Sequence, residues 1–207
     1  MGVEKIDLKL KFKELYTSKS GTFTKVMVPT LHFLMVDGSG DPNTSKEYAS
    51  AIETLYTLSY TLKFMSKEEL GRDYTVPPLE GLWWSNDMKD FESGNKGGWL
   101  WTAMIMLPDW IAPSLFEEGL DSVAKRKPAV DLTRVRREAL TEGLSVQTLF
   151  IGPYSDEGPV ISQLHNSYLP AHGLKESGKH HEIYLSDPRR TTPNKLRTII
   201  RQPVSKK

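Results

Sequence analysis

The chain has 207 residues, of which 38% are hydrophobic and 26% are charged, and these values are ordinary for a globular protein. Lys and Arg number 27 and Asp and Glu number 26, so the formal net charge of +1 gives no electrostatic reason to expect nucleic acid or an anionic membrane as a partner. The absence of cysteine excludes a disulfide framework, a thiolate zinc site and a cysteine nucleophile.

Length and hydropathy also bear on domain number and location. A chain of this size allows one large domain or two small fused modules. The N-terminus lacks the apolar segment of a secretory signal, and the longest apolar stretch, Trp99–Leu107, is far shorter than the ~20 residues that a membrane span needs. We therefore expect a cytoplasmic protein that makes no membrane contact.

The first quarter of the chain predicts a strand followed by a helix. Residues 1–25 are polar and Lys-rich with alternating apolar positions, which indicates an N-terminal arm or an extra strand. Residues 26–36 predict a strand that ends in the Gly-, Asp- and Pro-rich turn 37–42. Thr44 and Glu47 then match a capping box, so a helix is expected to begin there.

The next segment predicts a β-hairpin and a second helix. Residues 74–84, with a strand beginning near Pro77-Pro78, and residues 99–107 are rich in aromatic and aliphatic side chains, and a polar, Gly-containing connection at 90–98 separates them. A helix is expected over 113–127, because Pro113 precedes a capping pattern and Pro128 follows. Residues 134–140 fit a helix or a strand equally well.

The last third predicts a second series of strand, helix and strands. A turn at 141–143 precedes a strand over 144–151, and residues 159–169 have the apolar spacing of a helix. Two strands follow, over 179–185 and 196–204.

The two halves of the chain have a similar order of elements. In each, a strand leads into a Gly-containing turn and a helix, and two more strands follow, so residues 26–207 are interpreted as one domain of two pseudo-repeats, about 26–127 and 128–207. Two β-α-β-β modules predict an α+β fold with a mainly antiparallel sheet and helices on one face.

The most informative polar residues lie on the predicted strand 179–185. Because side chains alternate along a strand, Glu182 and Tyr184 share one face and could both reach one bound molecule. If Ile183 and Leu185 face the helices, this pair projects from the opposite face. Glu182 could pair with a cation or act as a general base on water, and Tyr184 could stabilise a developing oxyanion. The alternative is an exposed Glu beside a half-buried Tyr.

Tryptophan is the second unusual feature. Neighbours in a strand point to opposite faces, whereas residues two apart share a face, and both arrangements occur in this chain. Indoles can stack on a flat ligand, and a cationic ligand would gain roughly 0.5–2 kcal/mol of cation–π energy. The alternative is that the indoles only fill the core. The candidate ligand-binding residues are Trp83, Trp84, Trp99, Trp101 and Trp110.

Other site classes lack a sequence signature. The adjacent pair His180 and His181 cannot ligate one ion from a regular strand, so we expect no metal site. The basic residues over 125–137 alternate with acidic ones, which favours a solvated surface and no direct binding of nucleic acid. No phosphate-binding or dinucleotide motif is present, and we therefore expect no cofactor.

Three segments together resemble the GyrI-like small-molecule-binding family. They are Phe33-Leu-Met-Val-Asp-Gly-Ser-Gly-Asp-Pro, Gln147-Thr-Leu-Phe-Ile-Gly-Pro-Tyr and Gly178-Lys-His-His-Glu-Ile-Tyr-Leu-Ser-Asp-Pro-Arg-Arg, and the match extends over about residues 25–204. The resemblance implies two fused β-α-β-β modules with a ligand cleft between the modules. It also implies an acidic residue that meets cationic aromatic ligands, and Glu182 occupies the matching position. An attached helix-turn-helix, as in the family's transcription regulators, is not evident.

The Leu-Trp-Trp segment at 82–84 resembles a subgroup with paired tryptophans, some of whose members are hydrolases of cyclopropanoid compounds. The resemblance implies catalysis by a glutamate and a tyrosine, and hence a role in detoxification. Glu182 is the expected glutamate, and the tyrosine is Tyr184 or its rival Tyr56 on the first long helix. Two alternatives stay open: a non-catalytic protein that binds or sequesters aromatic drugs, and an interaction protein similar to gyrase inhibitors.

Overall fold

The computed structural model describes residues 4–85 and 98–207. Most of the predicted connection at 90–98 therefore lies outside the described residues. Within them, no helix combines the length and apolarity needed to cross a membrane. The chain divides into two compact units, the first formed by Met1–Lys11, Leu31–Pro77 and Gly81–Leu140, and the second by Phe12–Thr30, Pro78–Glu80 and Thr141–Lys207.

The elements of the described residues are numbered in chain order. The strands are β1 (Lys5–Asp7), β2 (Thr24–Ser39), β3 (Asp73–Thr75), β4 (Leu79–Ser85), β5 (Trp99–Leu107), β6 (Arg136–Ile151), β7 (Leu174–Glu176), β8 (His180–Tyr184) and β9 (Arg197–Lys206). The helices are α1 (Leu8–Lys11), α2 (Lys13–Tyr16), α3 (Lys46–Glu69), α4 (Pro113–Arg126), α5 (Gly158–Gln163) and α6 (Leu169–Ala171), with a π-helix (Leu164–Tyr168) joining α5 to α6 and 3₁₀ turns at Tyr154–Asp156 and Pro193–Lys195.

The first unit is built from α3 and α4 packed on strands. β2 and β5 pair antiparallel, and β4 is the other neighbour of β5. α3 begins after Ser45, whose hydroxyl accepts a hydrogen bond from the Tyr48 amide at 3.2 Å, so the N-cap is Ser45 and not the predicted Thr44. The two helices approach closely because Gly119 of α4 lies against Leu62 of α3, where a Cβ would be only 2.7 Å from Leu62 Cδ2.

The second unit is organised around β9. β6, β7 and β8 each pair with it in antiparallel orientation. The helical run from α5 to α6 packs on one face of these strands. Leu164 of the π-helix and Leu169 of α6 contact apolar residues of the strands and form a hydrophobic core with them. Its buried members are Val146, Leu164, Leu169, Leu174, Ile200 and Val204.

The predicted fold class is confirmed in its main features, since the protein is α+β, antiparallel pairing predominates and the helices of each unit pack on one side of the strands. In both units the order of elements is strand, helix, short strand, strand, strand. The N-terminal segment contributes β1, which pairs parallel with β3, and two short helices.

Two local predictions differ from the structure for identifiable backbone reasons. The predicted strand 74–84, expected to begin near Pro77-Pro78, corresponds to β4, and Tyr74 lies in the separate strand β3, because Pro77 and Pro78 cannot donate the hydrogen bonds of a strand ladder. The predicted turn at 141–143 does not end a strand. Gly143 adopts a φ of +66°, a conformation that glycine tolerates, and β6 continues through it.

Candidate functional site

β8 places Glu182 on the helix-covered face of the second unit. Glu182 lies opposite Ile200 of β9, and directly paired residues of antiparallel strands point to the same face. Ile200 belongs to the core that includes Leu164 of the π-helix. The condition that Ile183 faces the helices is therefore not met, and Glu182 and Tyr184 share the helix-covered face instead of the opposite one.

The Glu182 carboxylate is held at both oxygens by its neighbours on the same face of β8. The Tyr184 hydroxyl donates to Oε2 at 2.9 Å, and Nε2 of His180 lies 3.2 Å from Oε1. The side chains of Glu182 and His180 are only 13% and 7% exposed. We call these three side chains the β8 triad. A mostly buried carboxylate with fixed oxygens has a defined orientation, which an acid or base in catalysis requires.

Residues of the 3₁₀ turn Tyr154–Asp156 and of the π-helix lie beside the β8 triad. The Tyr154 ring contacts the Tyr184 ring edge to face at 5.5 Å, and the His165 ring lies 6.4 Å from that of His180. His165 belongs to the π-helix, an element that is frequent at functional sites, and its Nδ1 lies 2.5 Å from Glu176 Oε1. That hydrogen bond is the main reason why the pKa of Glu176 is lowered.

A second polar cluster lies on the opposite face of β8, and sequence reasoning missed it. His181 is fully buried between two carboxylates, with Nδ1 3.0 Å from Glu142 Oε1 and Nε2 2.9 Å from Glu80 Oε2. Nη1 of Arg201 donates to the other oxygen of Glu142 at 3.2 Å. Each of these four side chains is at most 4% exposed. Because carboxylates only accept hydrogen bonds, His181 donates from both nitrogens and is an imidazolium. Two cations thus balance two anions.

This buried ionic cluster also fixes the N-terminal segment within the second unit. The Tyr16 hydroxyl donates to Glu80 Oε1 at 2.5 Å, and Nη2 of Arg201 donates to the carbonyl of Leu15 at 2.6 Å. Gln147 accepts from Arg201 at Oε1 and donates from Nε2 to the Glu14 carbonyl at 2.9 Å. Every partner in the cluster therefore compensates for the desolvation of another.

Burial and the charges of the cluster shift the pKa values of His181, Glu142 and Tyr16. Burial alone lowers the pKa of His181, but the attraction and hydrogen bonds of Glu142 and Glu80 outweigh burial and raise this pKa to about 9. Burial alone raises the pKa of Glu142, but His181 and Arg201 outweigh it and lower the pKa to about 2. Burial, followed by the charge of Glu80, raises the pKa of Tyr16 well above its ordinary value.

These shifts predict a stability that declines at both ends of the pH scale. The raised pKa of His181 contributes stability that is complete below about pH 6.5 and is lost as the pH rises through about 9. The lowered pKa of Glu142 contributes stability that is present above about pH 4.5 and is lost as the pH falls towards about 2. Melting temperatures measured by circular dichroism between these limits should be highest near pH 4.5–6.5. A Tm that is unchanged from pH 6 to pH 9.5 would contradict the assignment of a buried imidazolium.

Three of the predicted tryptophans are in an aromatic cluster of the first unit. Trp83 is buried, and the centre of its ring lies 5.9 Å from that of Trp99 and 5.8 Å from that of Tyr48. Trp101 is fully buried under Tyr48 at 4.9 Å and fills the space over Gly38, where a Cβ would lie 2.2 Å from the indole. Trp99 is half-buried. Trp84, next to Trp83 in β4, is also half-buried.

The remaining predicted site residues lie on or near α3 in the first unit. Nε1 of Trp110 donates to Ser66 at 2.9 Å, the indole contacts Tyr74 edge to face, and the Arg72 guanidinium lies 5.4 Å from its ring centre. Tyr56 is half-buried and stacks on Tyr60 at 6.5 Å. The roles of these residues stay predictions. Among the described residues, no group of three or more His, Asp or Glu side chains is arranged to hold a metal ion.

Comparisons with known proteins place this geometry in a family. A search of curated proteins found no match. Among solved structures, an uncharacterised conserved protein from Listeria innocua is 40% identical, with a TM-score of 0.88 over 97% of this chain and 100% of the other. A hydrolase from Listeria innocua is 38% identical, with a TM-score of 0.85 over 97% and 100%. The C-terminal domain of EcmrR, at 11% identity and a TM-score of 0.55 over 90% and 98%, shares the fold.

The family model for the GyrI-like small-molecule-binding domain matches residues 22–205. This range contains all of α3 to α6 and all of the predicted site residues. The chain therefore belongs to the GyrI-like family of small-molecule-binding domains.

Proposed function

We propose that this protein is a hydrolase that adds water to a strained, electrophilic and planar aromatic compound, with Glu182 as general base. The β8 triad is the observation that carries the proposal, because it offers a mostly buried carboxylate whose two oxygens are oriented by Tyr184 and His180. The hydrolase name of a structural neighbour that is 38% identical supports the reaction class.

The reaction requires a base close to an electrophilic carbon. In a cyclopropane conjugated to a carbonyl, the oxygen of water forms a bond to a ring carbon, a ring C–C bond breaks, and its electron pair moves to the carbonyl oxygen. Glu182 takes a proton from the attacking water and later returns it to that oxygen, so the sum of the steps is the addition of one water molecule. Positioned general bases typically contribute about 10²–10⁴-fold to the rate.

A tyrosine hydroxyl would stabilise the oxygen on which negative charge develops. Tyr184 is the first candidate because its hydroxyl is already beside Glu182. Its single proton can be donated to one acceptor at a time, so in this role it would leave Glu182 when the ligand binds. Tyr56 is the second candidate.

Mass spectrometry tests the reaction class directly. A planar aromatic compound with a carbonyl-conjugated cyclopropane is incubated with a catalytic amount of the protein in water enriched in ¹⁸O. We expect repeated turnover to a product that has gained one water and carries one ¹⁸O. Product formed only at the rate of a protein-free control would contradict the proposal.

A non-catalytic binding protein for aromatic compounds is the second candidate function. The aromatic cluster of the first unit favours it, because the half-buried Trp99 and Trp84 leave part of their indole surface exposed. Both functions predict that an acridine dye quenches tryptophan fluorescence in a saturable manner. Binding without product in the ¹⁸O experiment would favour this second function.

A further inference from the structure

We propose that His180 is a positioning residue that keeps the Glu182 carboxylate in place while the hydroxyl of Tyr184 is transferred from Glu182 to the ligand. This inference rests on the proposed function and assigns a role to a residue for which neither the sequence motif nor the family comparison gives one. In the β8 triad, His180 is then the permanent hydrogen-bond partner of Glu182, and Tyr184 is the partner that changes when the ligand binds.

The need for a permanent partner follows from hydrogen-bond capacity. A tyrosine has one O–H, and that proton is donated to Glu182 Oε2 at 2.9 Å. When the hydroxyl turns to an oxygen of the ligand, Oε2 loses this donor and is available to a water molecule. The hydrogen bond at Oε1, 3.2 Å from His180 Nε2, is then the contact within the triad that retains the carboxylate orientation.

The surroundings of His180 suit a fixed residue. Its side chain is 7% exposed, and the ring lies beside that of His165 on the π-helix at 6.4 Å. Tyr184 is more exposed, and the Tyr154 ring meets it edge to face. His180 is thus the more deeply buried of the two partners of Glu182, and the more exposed one is the tyrosine that must move.

The tautomer of His180 follows from its two nitrogens. An ionised Glu182 can only accept, so Nε2 must carry the hydrogen that joins them. Nδ1 is buried and has no hydrogen-bond partner among the described residues. A proton on Nδ1 of a neutral ring would bury an unsatisfied N–H and turn the Nε2 lone pair towards the carboxylate, and both effects are unfavourable. The geometry therefore requires the Nε2–H tautomer.

Two substitutions at one position separate positioning from packing. His180→Gln retains an N–H donor close to the location of Nε2, whereas His180→Leu removes the donor and fills a similar volume. We expect His180→Leu to lower kcat about 10–100-fold with little change in KM, and His180→Gln to stay within about fivefold of the wild type, since a hydrogen bond to a charged group is lost only in the first. The matched control is His172→Leu, because His172 is exposed at the end of α6. Equal losses in both His180 variants, or a wild-type kcat in His180→Leu, would overturn the proposal.

Nitrogen NMR of the 207-residue chain gives a readout that does not depend on turnover. With the His180 signals assigned from their loss in His180→Gln, we expect the Nε2–H tautomer at neutral pH, and an Nε2–H resonance that persists when an acridine dye saturates the protein. A wild-type protein that forms no product but passes this test would disprove the hydrolase function and leave the positioning of Glu182 intact. The Nδ1–H tautomer, or loss of the Nε2–H resonance on dye binding, would overturn the inference whether or not the protein is an enzyme.

Discussion

Glu182→Gln should lower the rate of hydrolysis by about 10²–10⁴-fold while the affinity for the planar ligand stays close to that of the wild type. The amide has the shape of the carboxylate and can still bond to Tyr184 and His180, but it cannot take a proton from water. Steady-state kinetics with the cyclopropane compound measure the first effect. Fluorescence titration with an acridine dye measures the second.

The matched control is Glu118→Gln, which makes the same chemical change on the exposed surface of α4. It should leave both the rate and the affinity unchanged. A Glu182→Gln protein with a wild-type rate would show that another group activates the water. Loss of dye affinity in this variant, with an unchanged melting temperature, would instead indicate that Glu182 serves as a counter-ion for the ligand.

Tyr184→Phe and Tyr56→Phe distinguish the two candidate tyrosines. The one that stabilises the developing oxyanion should lower kcat by about 10²–10³-fold on losing its hydroxyl. We expect the larger loss in Tyr184→Phe, because Tyr184 is the tyrosine bonded to Glu182. A larger loss in Tyr56→Phe would assign that role to Tyr56.

His181→Leu should destabilise the fold more than any of the substitutions at Glu182, Tyr184 or His180. Removing the imidazolium leaves Glu80 and Glu142 buried with one cation fewer, and breaking a buried ion pair on one side typically costs about 3–5 kcal/mol of unfolding free energy. For a chain of this size, that corresponds to a Tm lowered by roughly 6–20 °C. Thermal unfolding followed by circular dichroism measures the effect.

His172→Leu is again the control, since His172 is exposed and its ring is stacked on Tyr168. It should change the Tm by only a small amount. The His181→Leu protein should also lack the alkaline decline of stability between about pH 6.5 and 9 that the wild type shows. A Tm within about 2 °C of the wild type would contradict the charge balance of the cluster.

Elements with strong local patterns could be predicted from the sequence. Trp99–Leu107 is an apolar run in which Thr102 is the one polar residue and which Pro108 ends, and β5 has these bounds in the structure. The alternation of side chains placed Glu182 and Tyr184 on one face of β8. Both inferences need only the geometry of one strand.

The sequence did not indicate which face of β8 the helices cover, because that depends on residues distant in the chain. Ile183 is as apolar as a helix-facing residue should be, but its paired residue is Ile199, and the helical run contacts Ile200 instead. Periodicity gives the two faces of a strand without saying which face a helix covers.

The buried ionic cluster was missed for a similar reason. Glu80, Glu142, His181 and Arg201 are far apart in sequence, and each resembles a surface residue when taken alone. A usable signal was present in β9, where Arg201 directly follows the aliphatic pair Ile199 and Ile200 within a predicted strand. A charged residue within a strand of this kind indicates a buried partner of opposite charge.

A crystal structure of the Glu182→Gln protein with the unreacted cyclopropane compound would show whether Glu182 is placed to activate water. We expect a water molecule bonded to the residue 182 side chain and about 3–3.5 Å from the ring carbon that is attacked. We also expect that the His180 contact at Oε1 is retained and that a tyrosine hydroxyl donates to the carbonyl oxygen. A ligand bound away from β8, with no water between it and residue 182, would contradict the assignment of Glu182 as the catalytic base.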